Sequence, residues 1–181
     1  MKKIYKAILA VVCGSMLSLT SCVGDLDTKP LGENELLPEK AWADEATYQL
    51  YLMKLYAGFS LSGNEAPSGM PDIVGGDQGE ATFIRSYWNL QELTTDEVLI
   101  AWSDDGLDGL QFNQWTSSNR FCELSYNRLL LNVAFCNEYL RQTTPALLDS
   151  RGVSAGMRTQ VETFRYEARA LRAMNYYFLM D

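Results

Sequence analysis

From Ser154 onward, Met157, Val161, Phe164, Ala168, Leu171, Asn175 and Phe178 recur every three to four residues. A 3.6-residue period held over about six turns suits an α-helix and excludes a strand, whose side chains alternate. The helix is expected to start at Ser154, after the Arg151-Gly152 turn. Its opposite side carries Arg158, Glu162, Arg165, Arg169 and Arg172. That reads as a solvated face, with Glu162 and Arg165 as an i,i+3 pair contributing a few tenths of a kcal/mol. Phe178-Leu179-Met180-Asp181 has no Gly, Pro or basic cap, so an interrupted helix is expected, with an apolar end lacking a partner. The isolated chain is therefore expected to be marginal or aggregation-prone.

Two more helices follow from the same reasoning. Tyr48, Leu52, Leu55, Tyr56 and Phe59 predict one over about 44–60, with Asp44 as N-cap. Another should begin after Ser117-Ser118-Asn119 and stop before Thr143-Thr144-Pro145. Phe121, Leu124, Leu131 and Phe135 line one side of it, and Leu129, Leu130 and Val133 widen the apolar face, so both sides should be packed. Between Gly58 and Gly109 lie eight of the 13 glycines with Pro67 and Pro71, which predicts loops and turns around short segments. The expected class is all-α, built from tetratricopeptide-like helix pairs with long loops. The last two helices start about 36 residues apart, near the 34-residue period of that repeat, although its Trp-Leu-Gly-Tyr pattern is absent.

Composition narrows the chemistry. The 181 residues contain no His, which removes Ser-His-Asp and Cys-His triads, His-containing metal sites and imidazole acid-base catalysis. Fifteen basic residues against 23 acidic ones give a net charge of -8, which argues against a nucleic-acid partner.

The N-terminus carries a targeting signal. Lys2, Lys3 and Lys6 precede the apolar stretch Ala7–Leu19, which is too short for a transmembrane helix of about 20 residues. It ends in Leu19-Thr20-Ser21-Cys22, a bacterial lipobox in which Cys22 takes the lipid. An ordinary secretory signal cleaved near Cys22 is the alternative. Several acyl chains, palmitate among them, give a stable anchor at about 0.8 kcal/mol per buried CH2. Cleavage leaves 12 basic and 23 acidic residues, so membrane contact must come from the lipid and not from attraction to anionic headgroups. The expected organisation is a signal peptide over 1–21, a lipidated, extended tether over 22–42 and a helical domain over 43–181.

Several candidate sites can be weighed from spacing. Cys122 and Cys136 on one helix would lie about 21 Å apart, far beyond the roughly 6 Å of a disulfide, and read as small buried hydrophobes. Asp104-Asp105-Gly106-Leu107-Asp108-Gly109 fails the EF-hand template, with Gly106 at the third ligand and Trp115 at the final one; it reads as an acidic turn without metal. Gly75-Gly76-Asp77-Gln78-Gly79-Glu80 lacks the Lys-Ser/Thr of a phosphate loop. No carboxylate pair for glycoside hydrolysis can be singled out among 23 acids. Trp88, Trp102 and Trp115 bracket the glycine-rich region. An indole face suits the axial C–H groups of a sugar, and Asp104, Asp105 and Asp108 near Trp102 could bond its hydroxyls. Anchoring loops to the core is the alternative for all three tryptophans.

Five segments in order point to a family: the lipobox, Leu26-Asp27-Thr28-Lys29-Pro30, Leu93-Thr94-Thr95-Asp96-Glu97, Asp108-Gly109 followed by Trp115, and Glu167-Ala168-Arg169-Ala170-Leu171-Arg172-Ala173 running into Tyr176-Tyr177-Phe178. Together they resemble the N-terminal part of the SusD/RagB nutrient-uptake outer-membrane lipoproteins. The resemblance implies a mostly helical protein on the cell surface that binds oligosaccharides or glycans, does no chemistry on them, needs no cofactor, and caps a SusC-type TonB-dependent transporter. It also implies a chain truncated relative to family members. It makes Cys22 the lipid site, Asp25 and Asp27 part of the surface-directing stretch, Arg169 and Arg172 structural, and Trp102, with Asp104 and Asp108, the candidate glycan contacts. The chain departs from the family pattern at Ile100-Ala101, where Gly and Arg often precede the Trp, and at Leu107, where an aromatic is common. A helical-repeat lipoprotein that binds only protein partners is the competing reading.

Overall fold

The computed structural model describes residues 37–63, 71–73 and 79–180; the lipobox, Cys22 and most of the expected tether lie outside these. The chain divides into two units, residues 1–41 and 42–181. In the first, α1 (Pro38–Ala41) is a single turn in which Lys40 and Ala41 donate to the Leu37 carbonyl. The end of the expected extended tether is thus helical, because Pro38 presets the φ of a first helical position.

The second unit is all-α among its described residues, apart from one isolated bridge between Gly63 and Pro71. Its elements are α2 (Ala46–Ala57), α3 (Phe83–Glu92), α4 (Leu107–Gln111), α5 (Arg120–Gln142), α6 (Pro145–Ser150) and α7 (Ala155–Leu179). No described helix is long and apolar enough to cross a membrane.

The long helices begin where their caps dictate. Asn119 Oδ1 accepts from the Phe121 amide at 2.9 Å, and Ser154 Oγ accepts from Met157. Helix α2 differs: Glu45, not the expected Asp44, holds its N-cap position and makes no side-chain cap bond, while Asp44 accepts from the Ala46 amide at 2.9 Å. Contacts between α5 and α7 join Asn132 to Asn175, Asn137 to Arg172 and Leu140 to Arg165, so the two helices run antiparallel. Helix α2 lies along both. Its Tyr48 carbonyl takes the Tyr139 hydroxyl from α5, its Tyr56 hydroxyl donates to Glu167 of α7, and Glu45 just before it bonds the Ser154 amide. The core between them holds Tyr48, Leu52, Leu55, Val133, Cys136, Tyr139, Val161, Ala168 and Leu171.

Three expectations need correction, and helix α3 was not expected. Between Gly58 and Gly109 the described residues are mostly turns and irregular segments, as expected, but α3 occupies ten of them. The buried face of α3 is Phe83, Ser86 and Asn89, and two polar residues on that face hide its period. The arginine face of α7 is not simply solvated, and Glu162 and Arg165 form no ion pair. Arg165 Nη1 instead donates to the Leu140 carbonyl at 2.7 Å and to Thr143 Oγ1 at 2.8 Å, using carbonyl and hydroxyl groups that the end of α5 leaves free. The apolar end of α7 has a partner, because Phe178 packs on Phe83 and Tyr87 of α3 with ring centroids 4.8 and 5.1 Å away. Finally, Trp42 is buried against Tyr48, Tyr51 and Tyr139, so the helical unit starts one residue before the expected boundary.

Candidate functional site

A small second core positions the residues of interest. Leu93, Leu107, Leu110 and Phe121 are fully buried together, and Leu90 and Ile100 pack against them. Leu107, which departs from the family pattern, is therefore a core residue of this cluster. Gly106 holds φ at +92°, a left-handed conformation that starts α4 at a sharp turn and that other residues adopt only with strain. Asn119 Nδ2 fastens that turn by donating to the Gly106 carbonyl at 2.8 Å. The Ile100 amide donates to Gln111 Oε1 at 3.0 Å. The irregular segment 98–103 is thus tied to α4 and held beside α3.

Between that segment and α3 lies an open cleft of about 690 Å3. Arg85, Trp88 and Asn89 enter it from α3, spaced three and four residues apart and so on one helical face; Leu99, Ile100, Ala101 and Trp102 form the other wall. Trp88 and Trp102 are 42% and 64% exposed, so neither is a core anchor. Trp115 is also exposed and lines a different groove, with Tyr87, Tyr126 and Phe178.

Arg85 organises the polar part. Its Nη2 donates to Asp104 Oδ2 at 3.0 Å, while its guanidinium carbon sits 5.8 Å from the centre of the Trp102 ring. The ion pair fixes the guanidinium beside the indole, where a cation is attracted to the ring face. Asn89 is buried beneath the cleft, and its Nδ2 has no hydrogen-bond partner among the described residues. Such an arrangement offers flat apolar faces for a ring-shaped ligand and a fixed, charge-balanced hydrogen-bonding pair at its edge.

The structure therefore joins Trp102 and Asp104 through Arg85. Asp108 lies apart, exposed on the first turn of α4 and outside the cleft lining. Arg85 was missed because its significance depends on α3, whose helical period the sequence conceals. Among the described residues no group of three or more His, Cys, Asp or Glu is placed to hold a metal ion. Cys122 and Cys136 are free, and Cys136 is buried, which pushes its thiol up to about 11. Of the glycine-rich stretch 75–80, only Gly79 and Glu80 are described; Glu80 is buried and pairs with Arg120 at 2.7 Å.

No family model matches the chain. Across 183 aligned residues it is 33% identical to the starch-binding protein SusD of Bacteroides thetaiotaomicron. That similarity covers 99% of this chain and 29% of the relative, so the chain spans under a third of the relative's length. The relative is named for binding and not for a reaction.

Proposed function

Because the chain is SusD-like over 99% of its length, we propose that it serves, within a nutrient-uptake system, as a glycan-binding lipoprotein without enzymatic activity. The observation that carries this reading is the cleft between Trp88 and Trp102, with Arg85 held by Asp104 at its edge. Indole faces pack against the C–H faces of sugar rings, and Arg85 and Asp104 reach hydroxyls at the ring edge. Maltooligosaccharides are the first ligands to test, since the relative is named for starch. Asp108, outside the cleft lining, would contact only a ligand long enough to extend past Trp102.

Residues 1–21 act as a signal peptide, Cys22 carries the lipid, residues 22–41 form the tether, and residues 42–181 form the glycan-binding domain. The protein sits on the outer surface of the outer membrane and passes its ligand to a SusC-type TonB-dependent transporter. Replacing Cys22 by Ala should move the protein from the membrane fraction to the soluble one.

Titration of tryptophan fluorescence with maltoheptaose tests the binding reading. Saturable binding is expected, weakened at least tenfold in Trp102→Ala, equivalent to about 1.4 kcal/mol. Binding that Trp102→Ala leaves intact would remove this cleft as the site. The second reading, a scaffold for protein partners alone, draws support from the outward face of α2, where Leu50 and Met53 are more than half exposed. Absence of binding to any oligosaccharide, with a retained protein partner, would put that reading first.

A further inference from the structure

A separate concavity, sharing no residue with the tryptophan cleft, lies between α6 and α7 and measures about 440 Å3. This falls within the range of about 300 to 1,000 Å3 typical of small-molecule sites. Its floor is apolar, with Leu148 and Val161 buried, and Tyr166 and Arg169 stand exposed at its rim.

Two of its cations lack a carboxylate partner among the described residues. Arg158 is spent, with Nε on the Val153 carbonyl, Nη2 on the Leu148 carbonyl and Nη1 on Asp149. Arg165 is held by Nη1 alone, through the Leu140 carbonyl and Thr143, which leaves Nε and Nη2 without a partner among the described residues. Arg169 lies over the Tyr166 ring at 5.6 Å and forms no ion pair among the described residues. Arg165 and Arg169 are one helical turn apart on the same face. Partial burial, and then the neighbouring Arg169 charge, hold the Arg165 guanidinium below its ordinary range. In a chain of net charge -8, this paired cationic spot is not part of a generally basic surface.

We infer that this cleft binds a carboxylate carried on a compact apolar body, with Arg165 and Arg169 taking the two oxygens and Leu148 and Val161 receiving the apolar part. Guanidinium groups recognise a planar carboxylate through parallel, charge-assisted hydrogen bonds. Glu162, exposed at the edge of the cleft, disfavours more highly charged anions such as phosphate. The carboxylate can belong to a free organic acid or to a peptide C-terminus.

The test is isothermal titration of the 181-residue chain at constant ionic strength with benzoate against benzamide, and with N-acetylleucine against its amide. At least one acid is expected to bind at least tenfold more tightly than its neutral amide. A stronger preference for benzoate assigns the site to free acids, and one for N-acetylleucine assigns it to a peptide terminus. Arg169→Gln, at an exposed position, should weaken the preferred acid at least fivefold without moving the unfolding midpoint. Trp102→Ala should leave acid binding unchanged, which separates this site from the glycan reading. Equal binding of acids and amides, or acid binding unaffected by Arg169→Gln or abolished by Trp102→Ala, would overturn the assignment.

Discussion

Arg128 is a fully buried guanidinium in the middle of α5. Its Nε donates to the Ala81 carbonyl at 2.7 Å, its Nη2 to the Ser62 carbonyl at 3.1 Å, and its Nη1 reaches Asp72 at 3.4 Å. One side chain thus gathers three points of the glycine-rich region onto the long helix. Burial lowers the affinity of the guanidinium for its proton, and Asp72 partly restores it. In Arg128→Met the apolar volume is roughly kept, but the Ala81 carbonyl loses this donor, the Ser62 carbonyl is left with the Asp72 amide, and the Asp72 carboxylate keeps Lys54, 3.8 Å away, as its ion-pair partner among the described residues. Removing one member of a buried polar network costs about 3 to 5 kcal/mol. Urea unfolding followed by circular dichroism should show a loss of that size; a loss below about 1 kcal/mol would mean that these loops hold without the arginine.

At the scale of elements, the end of α2 approaches α5 too closely for a side chain. A Cβ at Gly58 would come within 2.5 Å of Asn132 Oδ1. Asn132 cannot easily retreat, because its Nδ2 donates both to the Gly58 carbonyl and to Asn175 Oδ1. Gly58→Ala should therefore destabilise the chain by about 1 to 3 kcal/mol, although φ at this position is an ordinary -58°. A thermal midpoint equal to wild type would show that Asn132 can turn aside. The three long helices were legible in the sequence because their stripes are apolar and their caps are conventional: Asn119 and Ser154 start helices where expected. What escaped was carried by polar groups at buried positions. Ser86 and Asn89 concealed α3, and Arg128 and Asn132 carry charge or amides on a face where only hydrocarbon was anticipated. The candidate site was half legible for the same reason. Trp102 and Asp104 are close in sequence, whereas Arg85 and Trp88 reach them only across a helix that the pattern did not declare.

For the molecule as a whole, the seam where α2 crosses α5 makes stability depend on alkaline pH. Trp42, Tyr48, Tyr51 and Tyr139 form one aromatic cluster, with the Tyr51 and Tyr139 ring centroids 5.7 Å apart. Burial, then the charge of Glu138, pushes the Tyr51 phenol up from its ordinary 10 to about 12. Burial also raises Tyr139, and it takes the Cys136 thiol from 9 to about 11. The unfolded chain releases these protons at their ordinary values, while the folded chain keeps them to higher pH. Between about pH 9 and pH 12 the unfolded state thus binds fewer protons, so stability is full below this window and falls as pH rises through it. The urea midpoint should stay level from pH 7 to 8.5 and then decline steeply. Tyr51→Phe keeps the ring and removes the titrating phenol, so its decline above pH 10 should be shallower than that of wild type. Equal slopes for the two proteins would place the alkaline transition outside this aromatic seam.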